Sequence, residues 1–577
     1  MRAHAPAFRR PSRCPAVLLG VIGGTLGWAA ALGAAPAAAG GAGTVTRTDL
    51  DAPAPVYERA RGVIREELDP VLAPDGSGLP HELWRGLSAQ ALAESLGQLT
   101  LPSPSATLNG LWRRLIASDS AADAASPARF TALRVEALDQ AGLIDEAAAV
   151  LAKSPAASRE PLLMALTARS EIGLGNSERG CEIAQSLTAA RKSLPKPMQG
   201  DLLLIAGYCA LARGDTAGAA LQASLIRDLE LASGTSADLL DAVAAGLAPE
   251  IPKEAKLSLL DYRIGALKGG FSPGDLVPHA SPALLAGLAH DPRTAADIRL
   301  AAGEAAAALN ILPPTDLAPL YRARGAGGDA GSIERASLFT ASEAERMPLR
   351  KARLVRSFLD EARRIGLYGP ALRLMADATA SIAPIPEVGW FAETAIEVSL
   401  VSGNFEAARR WAAFTDSADS LNPAAPQPLA HWLALVDLAD ASAAAGSGRG
   451  LAAVAAMAQA GRFEATLVNR LTTVLDALAL PVPATLWELA GRAPQPAGGH
   501  LPDTGVLTEL AEASRKKEFG RTVLLVMRTL GPAGAEGAHL IALGDSLRAL
   551  KRAGLEGEAR QLAVEGLLAA WPRAVSQ

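Results

Sequence analysis

Residues 540–566 read LIALGDSLRALKRAGLEGEARQLAVEG, and their spacing decides the fold. Leu540, Leu543, Leu547 and Leu550 recur at i, i+3, i+7 and i+10, which places them on one stripe of a helix. Beyond Gly554 a second stripe follows, with Leu555, Ala559, Leu562 and Gly566 at i, i+4, i+7 and i+11. The connection Arg552-Ala553-Gly554 is too short for anything but a return, so the two helices lie antiparallel as a hairpin. A single hairpin cannot bury both apolar stripes, so it needs others stacked on it.

The same arrangement recurs along the chain. A glycine ends one helix, and a small residue follows five positions later where the second helix meets the first. The pairs are Gly142 with Ala147, Gly175 with Gly180, Gly214 with Ala219, Gly366 with Ala371, Gly403 with Ala408, and Gly554 with Ala559. Glycine tolerates the left-handed helix end, and a small side chain lets two backbones approach. Asn176, Asp215 and Asn404 follow three of these glycines as candidate N-caps; Leu143, Leu367 and Leu555 follow the others. Successive turn glycines lie 33, 39, 152, 37 and 151 residues apart. Each large gap is close to four units of about 38, the room that further, more degenerate hairpins need.

The turn Gly403-Asn404-Phe405-Glu406-Ala407-Ala408 resembles that of the tetratricopeptide family, Gly-Asp/Asn-aromatic-Glu-x-Ala. The other turns match only the glycine and the small residue, and the family's early Trp, Leu-Gly and Tyr positions are mostly missing. The resemblance implies an α-solenoid of stacked antiparallel helical hairpins that binds a protein or peptide. Family members that clamp a peptide carboxylate use Lys, Arg and Asn on their first helices. The stretch Trp390–Ser402 has none of these.

Composition agrees with an all-α fold. Hydrophobic residues make up 49% of the 577 positions and aromatics only 4%, with Ala and Leu dominating. Those are strong helix formers, and no run of alternating strands is present. Breakers divide the chain into expected helical blocks at 57–270, 283–493 and 506–577. A loop runs from Phe271 to Pro282, others cover 324–331, 416–428 and 442–450, and Pro494–Gly505 is the candidate linker. A net charge of −5 argues against a generic nucleic-acid binder, and Arg515-Lys516-Lys517 reads as a solvated helix face.

Arg2, Arg9, Arg10 and Arg13 precede an uncharged stretch, Cys14–Thr46, whose apolar part spans Ala16–Leu32. Ala37-x-Ala39 supplies a small-residue cleavage site. Residues 1–39 thus read as a signal peptide and 40–56 as a flexible lead-in, which places the chain in the periplasm. The alternative is an uncleaved anchor, a short span diluted by four glycines, with the chain facing the periplasm. Cleavage leaves Cys181 and Cys209, an even pair in an oxidising compartment. A disulfide between them would staple neighbouring hairpins; two buried free thiols are the other reading.

Three sets of residues invite a catalytic reading. Gly544-Asp545-Ser546-Leu547 resembles the nucleophile block of the GDSL esterase/lipase family, whose serine takes its base from a downstream Asp-x-x-His. Here no histidine follows Ser546, and the block lies inside the leucine pattern quoted above. His279 and His290 flank a short helix close to Asp275 and Asp291, and read best as loop and helix-end residues. Glu393 and Glu397 lie one helical turn apart and read as a solvated face. The chain also resembles lytic transglycosylases with long superhelical domains, but no compact segment remains to house their catalytic domain. Gly446-Ser447-Gly448-Arg449-Gly450 follows a helix rather than a strand, against a phosphate loop. The expectation is a non-catalytic binding scaffold of the cell envelope, without cofactor or metal and with an unknown protein or peptide partner. A hydrolase or a membrane-anchored structural protein is the alternative.

Overall fold

The computed structural model describes residues 83–573, apart from 119–125, 232–233, 326–333, 418–427, 442–447 and 495–497. The expected signal peptide at 1–39, the lead-in at 40–56 and the start of the first helical block lie outside the described residues, as do parts of the loops expected at 324–331, 416–428 and 442–450. A compact unit runs from Glu67 to Gln577, without division near 270 or 493.

The fold is all-α. Among the described residues there are 29 α-helices and no strand. From Pro127 to Leu568 most of them form twelve successive pairs, each with its two helices packed on one another. The first three pairs are Pro127–Gln140 with Ile144–Lys153, Pro161–Leu174 with Ser177–Ser186, and Lys196–Ala212 with Thr216–Asp228. Three more pairs fill the gap up to Pro348–Arg364 with Tyr368–Leu374. After Ala392–Val401 with Phe405–Ser417, another three precede the last pair, Leu540–Arg552 with Glu556–Leu568.

The turn glycines Gly142, Gly175, Gly214, Gly366, Gly403 and Gly554 are all left-handed, with φ between 74° and 92°. Each turn closes with the amide of the residue after the glycine bonding back five positions, as in Leu143 N to Leu138 O at 2.8 Å and Asn404 N to Ser399 O at 2.8 Å. The residue five beyond the glycine is buried in every case. Ala219, Ala371, Ala408 and Ala559 are 0% exposed, and Ala147 is 4% exposed. Ala147 stands in the first turn of Ile144–Lys153, where its amide bonds Leu143 O at 3.0 Å and its small side chain lets that helix close on Pro127–Gln140. Gly180 is likewise buried. A Cβ there would lie 2.7 Å from the Ile172 side chain and 3.1 Å from Ala168 O, so two backbones meet. Of the three cap candidates, Asp215 accepts from Gly218 N and Asn404 from Ala407 N. Asn176 does not cap: its amide turns back to donate to Glu171. Leu143, Leu367 and Leu555 are buried.

Two loop expectations are corrected. Within 271–282, Ser272 and Pro273 begin a helix, Pro273–His279, because proline is well placed in a first turn. The 494–505 stretch is no free linker. His500 N donates to Gly537 O and His539 N to His500 O, and Thr504 already opens the helix Thr504–Arg515.

An open helical array touches only its sequence neighbours. This chain also closes on itself. The helices Ala89–Leu96 and Ala106–Ala117 pack on Phe519–Leu530, and Ala106–Ala117 also packs on Glu556–Leu568. Gly520 N donates to Leu83 O, Glu565 accepts from Ser105 and Thr107, and Arg114 pairs with Glu558 at 2.8 Å. A second inward contact covers the first three pairs. Leu259–Ala266 packs on Pro161–Leu174 and Lys196–Ala212, while Pro282–His290 packs on Pro127–Gln140 and Ile144–Lys153.

Candidate functional site

The chemical groups singled out by the sequence are kept apart. Ser546 lies within Leu540–Arg552, is 0% exposed, and its hydroxyl has no hydrogen-bond partner among the described residues. A serine so placed has neither a base nor access to a substrate. His279 bonds to the carbonyls of Asp275 and Lys253, whereas His290 faces Asp145 at 3.4 Å. The two histidines therefore serve different contacts. Among the described residues no cluster of His, Cys, Asp and Glu is placed to hold a metal.

Glu393 and Glu397 are not a solvated face. Glu397 is 3% exposed and accepts from Tyr368 Oη at 2.6 Å and from Arg573 at 2.7 Å. Glu393 accepts from Trp432 Nε1 at 3.1 Å. Burial pushes the Tyr368 phenol above its ordinary value, and the Glu397 charge adds to the shift. Glu397 holds the last described residues onto the middle of the chain. Trp571 is buried, the Pro572 carbonyl bonds His431, and Arg573 reaches Glu397.

Cys181 and Cys209 are joined in a disulfide with Cα atoms 5.8 Å apart, linking the second and third pairs. The first helices of the first three pairs meet through Arg169. Its guanidinium contacts Glu136 at 3.0 Å, Asp139 at 3.5 Å and Asp201 at 2.9 Å. Burial raises the Asp139 and Asp201 carboxyls above the usual range, while Arg169 pulls them back.

The feature that sequence reasoning missed is a cavity of about 260 Å³ where the chain closes. Three segments build it. The first is the loop between Ala89–Leu96 and Ala106–Ala117, held by Ser103 N to Asn109 Oδ1 at 3.2 Å and by Asn310 Nδ2 to Pro104 O at 2.9 Å. The second is 500–506, pinned by the bonds of His500 to 537–539. The third is the end of Phe519–Leu530 and the turn beyond it. That turn needs glycine, because a Cβ on Gly531 (φ 71°) would sit 2.5 Å from the His500 ring.

Polar groups from all three segments line the cavity, including Thr100, Ser103, His500, Asp503 and Arg528; Val506, Met527 and Pro532 give it an apolar wall. Asp503 precedes Thr504–Arg515 but makes no side-chain cap bond. Arg528 is half-buried, and neither it nor Asp503 has an ion-pair partner among the described residues. No sequence motif marks the site, because its walls are some 400 residues apart in the chain.

No family model matches the chain, and no curated protein or solved structure matches it.

Proposed function

We propose that this protein is an exported, tetratricopeptide-like helical-repeat scaffold that binds a protein or peptide in the cell envelope. The observation that carries this reading is the run of twelve packed helix pairs. Stacked helix pairs present rigid surfaces, and folds built from them use such surfaces for recognition. Large apolar side chains left open on that framework add support. Trp390 and Trp487 are each 48% exposed, and Ile541 is 52% exposed. Tryptophan is enriched among the residues that carry most binding energy at interfaces. Export rests on the leader of residues 1–39. No helix among the described residues is long and apolar enough to cross a membrane.

In-cell cross-linking with mass spectrometry tests the proposal. A reproducible partner is expected, and Trp487→Ala should weaken its capture if that face is used. Absence of any reproducible partner, or robust ester or peptidoglycan turnover abolished by Ser546→Ala, contradicts it.

A further inference from the structure

We propose that the cavity at the closure is a binding site for a small zwitterion of the α-amino acid class with an aliphatic side chain. The space is well above the roughly 10–15 Å³ a single water needs and just below the roughly 300–1,000 Å³ of drug-sized pockets. It fits a small organic molecule.

The charges on its walls carry the assignment. Arg528, half-buried, and Asp503, exposed, line the same cavity and form no ion pair with each other or with any other described residue. Arg521, on the same helix as Arg528, shows the usual alternative: it reaches Glu518 at 3.0 Å and Glu509 at 3.5 Å. A half-buried guanidinium keeps five donors in a rigid fork that matches a carboxylate bidentately. Asp503, acceptor-only when ionised, complements an ammonium group. A molecule carrying both groups bridges the two walls, which neither a simple anion nor a simple amine does. Thr100, Ser103 and His500 add further hydrogen-bonding groups to the lining. Val506, Met527 and Pro532 leave an apolar surface for a side chain.

Titration calorimetry on the full chain, with L-leucine as the probe, tests the site. Acetate, inorganic phosphate and n-butylamine are run in parallel. Saturable leucine binding is expected, weakened at least about tenfold by Arg528→Ala and by Asp503→Ala, as loss of a charged contact gives. Arg528→Lys and Asp503→Asn replace either alanine variant that melts early. Four results overturn the proposal. One is no leucine binding up to millimolar concentration; another is leucine binding that neither variant weakens. The third is acetate or phosphate binding as tightly as leucine and indifferent to Asp503→Ala, the mark of a plain anion site. The fourth is butylamine binding as tightly and indifferent to Arg528→Ala.

Discussion

Gly403 and Gly142 share a left-handed conformation but not an environment. Open space surrounds the missing Cβ of Gly403, whereas a Cβ on Gly142 would lie 2.7 Å from the Pro282 carbonyl. Gly403→Ala should therefore cost only the conformational term, about 1–2 kcal/mol. Gly142→Ala should cost clearly more, because backbone must move. Denaturant unfolding followed by circular dichroism compares the two, and equal losses would count against the contact with Pro282. Glycine makes these turns visible in the sequence. Glu230, Asn310, Ala479 and Lys517 adopt the same left-handed helix ending, with φ between 49° and 59° and the same backward bond. No glycine marks them, so the sequence pattern does not show them, although Ala479 and Lys517 stand 38 residues apart, as the spacing of the other turns requires.

Two histidines oppose each other at this scale. The hydrogen bond to Asp145 raises the His290 pKa, and the same bond lowers that of Asp145. Their pairing stabilises the fold between roughly pH 4 and 6.5. It is lost as pH rises through the raised His290 value, and again as pH falls through the lowered Asp145 value. Both groups are partly exposed, so the contribution stays below about 1 kcal/mol. Burial lowers the pKa of His431, so the fold holds it neutral and loses stability as pH falls below about 6.5. Melting temperatures from pH 5 to 8 should show His290→Ala destabilised only toward acid. His431→Gln should flatten the decline toward acid.

At the scale of elements, the disulfide and the tail latch make separate demands. The bond from Cys181 to Cys209 spans 28 residues, and closing a loop of that size is worth about 3–4 kcal/mol. Replacing both cysteines by serine should lower stability by that order, and reduction of the wild type should match it. The latch depends on Glu397. Glu397→Gln removes the charge that Arg573 and Tyr368 share and should cost about 2–3 kcal/mol. Tyr368→Phe should cost less, because the ion pair survives. The leucine periods and turn spacing make the helix pairs legible in the sequence. The paired glutamates mislead because an i, i+4 spacing says only that they share a face, not that Tyr368, Trp432 and Arg573 cover it. Pro273–His279 is hidden because its Ser-Pro-Gly-Asp start reads equally well as a turn.

At the scale of the molecule, closure joins groups that local pattern cannot connect. Ser105 and Glu565 are 460 residues apart and hydrogen-bonded, and neither stands out in its own segment. The cavity belongs to this closure and is equally invisible in the sequence. Whether the first and last described helices meet is therefore the most direct test of the fold. Spin labels at Gln90→Cys on Ala89–Leu96 and Gln561→Cys on Glu556–Leu568, both exposed positions, sit on helices at the two sides of the closure. Pulsed dipolar spectroscopy of the labelled chain should give one short, narrow distance distribution. A long or broad distribution, as an open helical array produces, would contradict a closed chain.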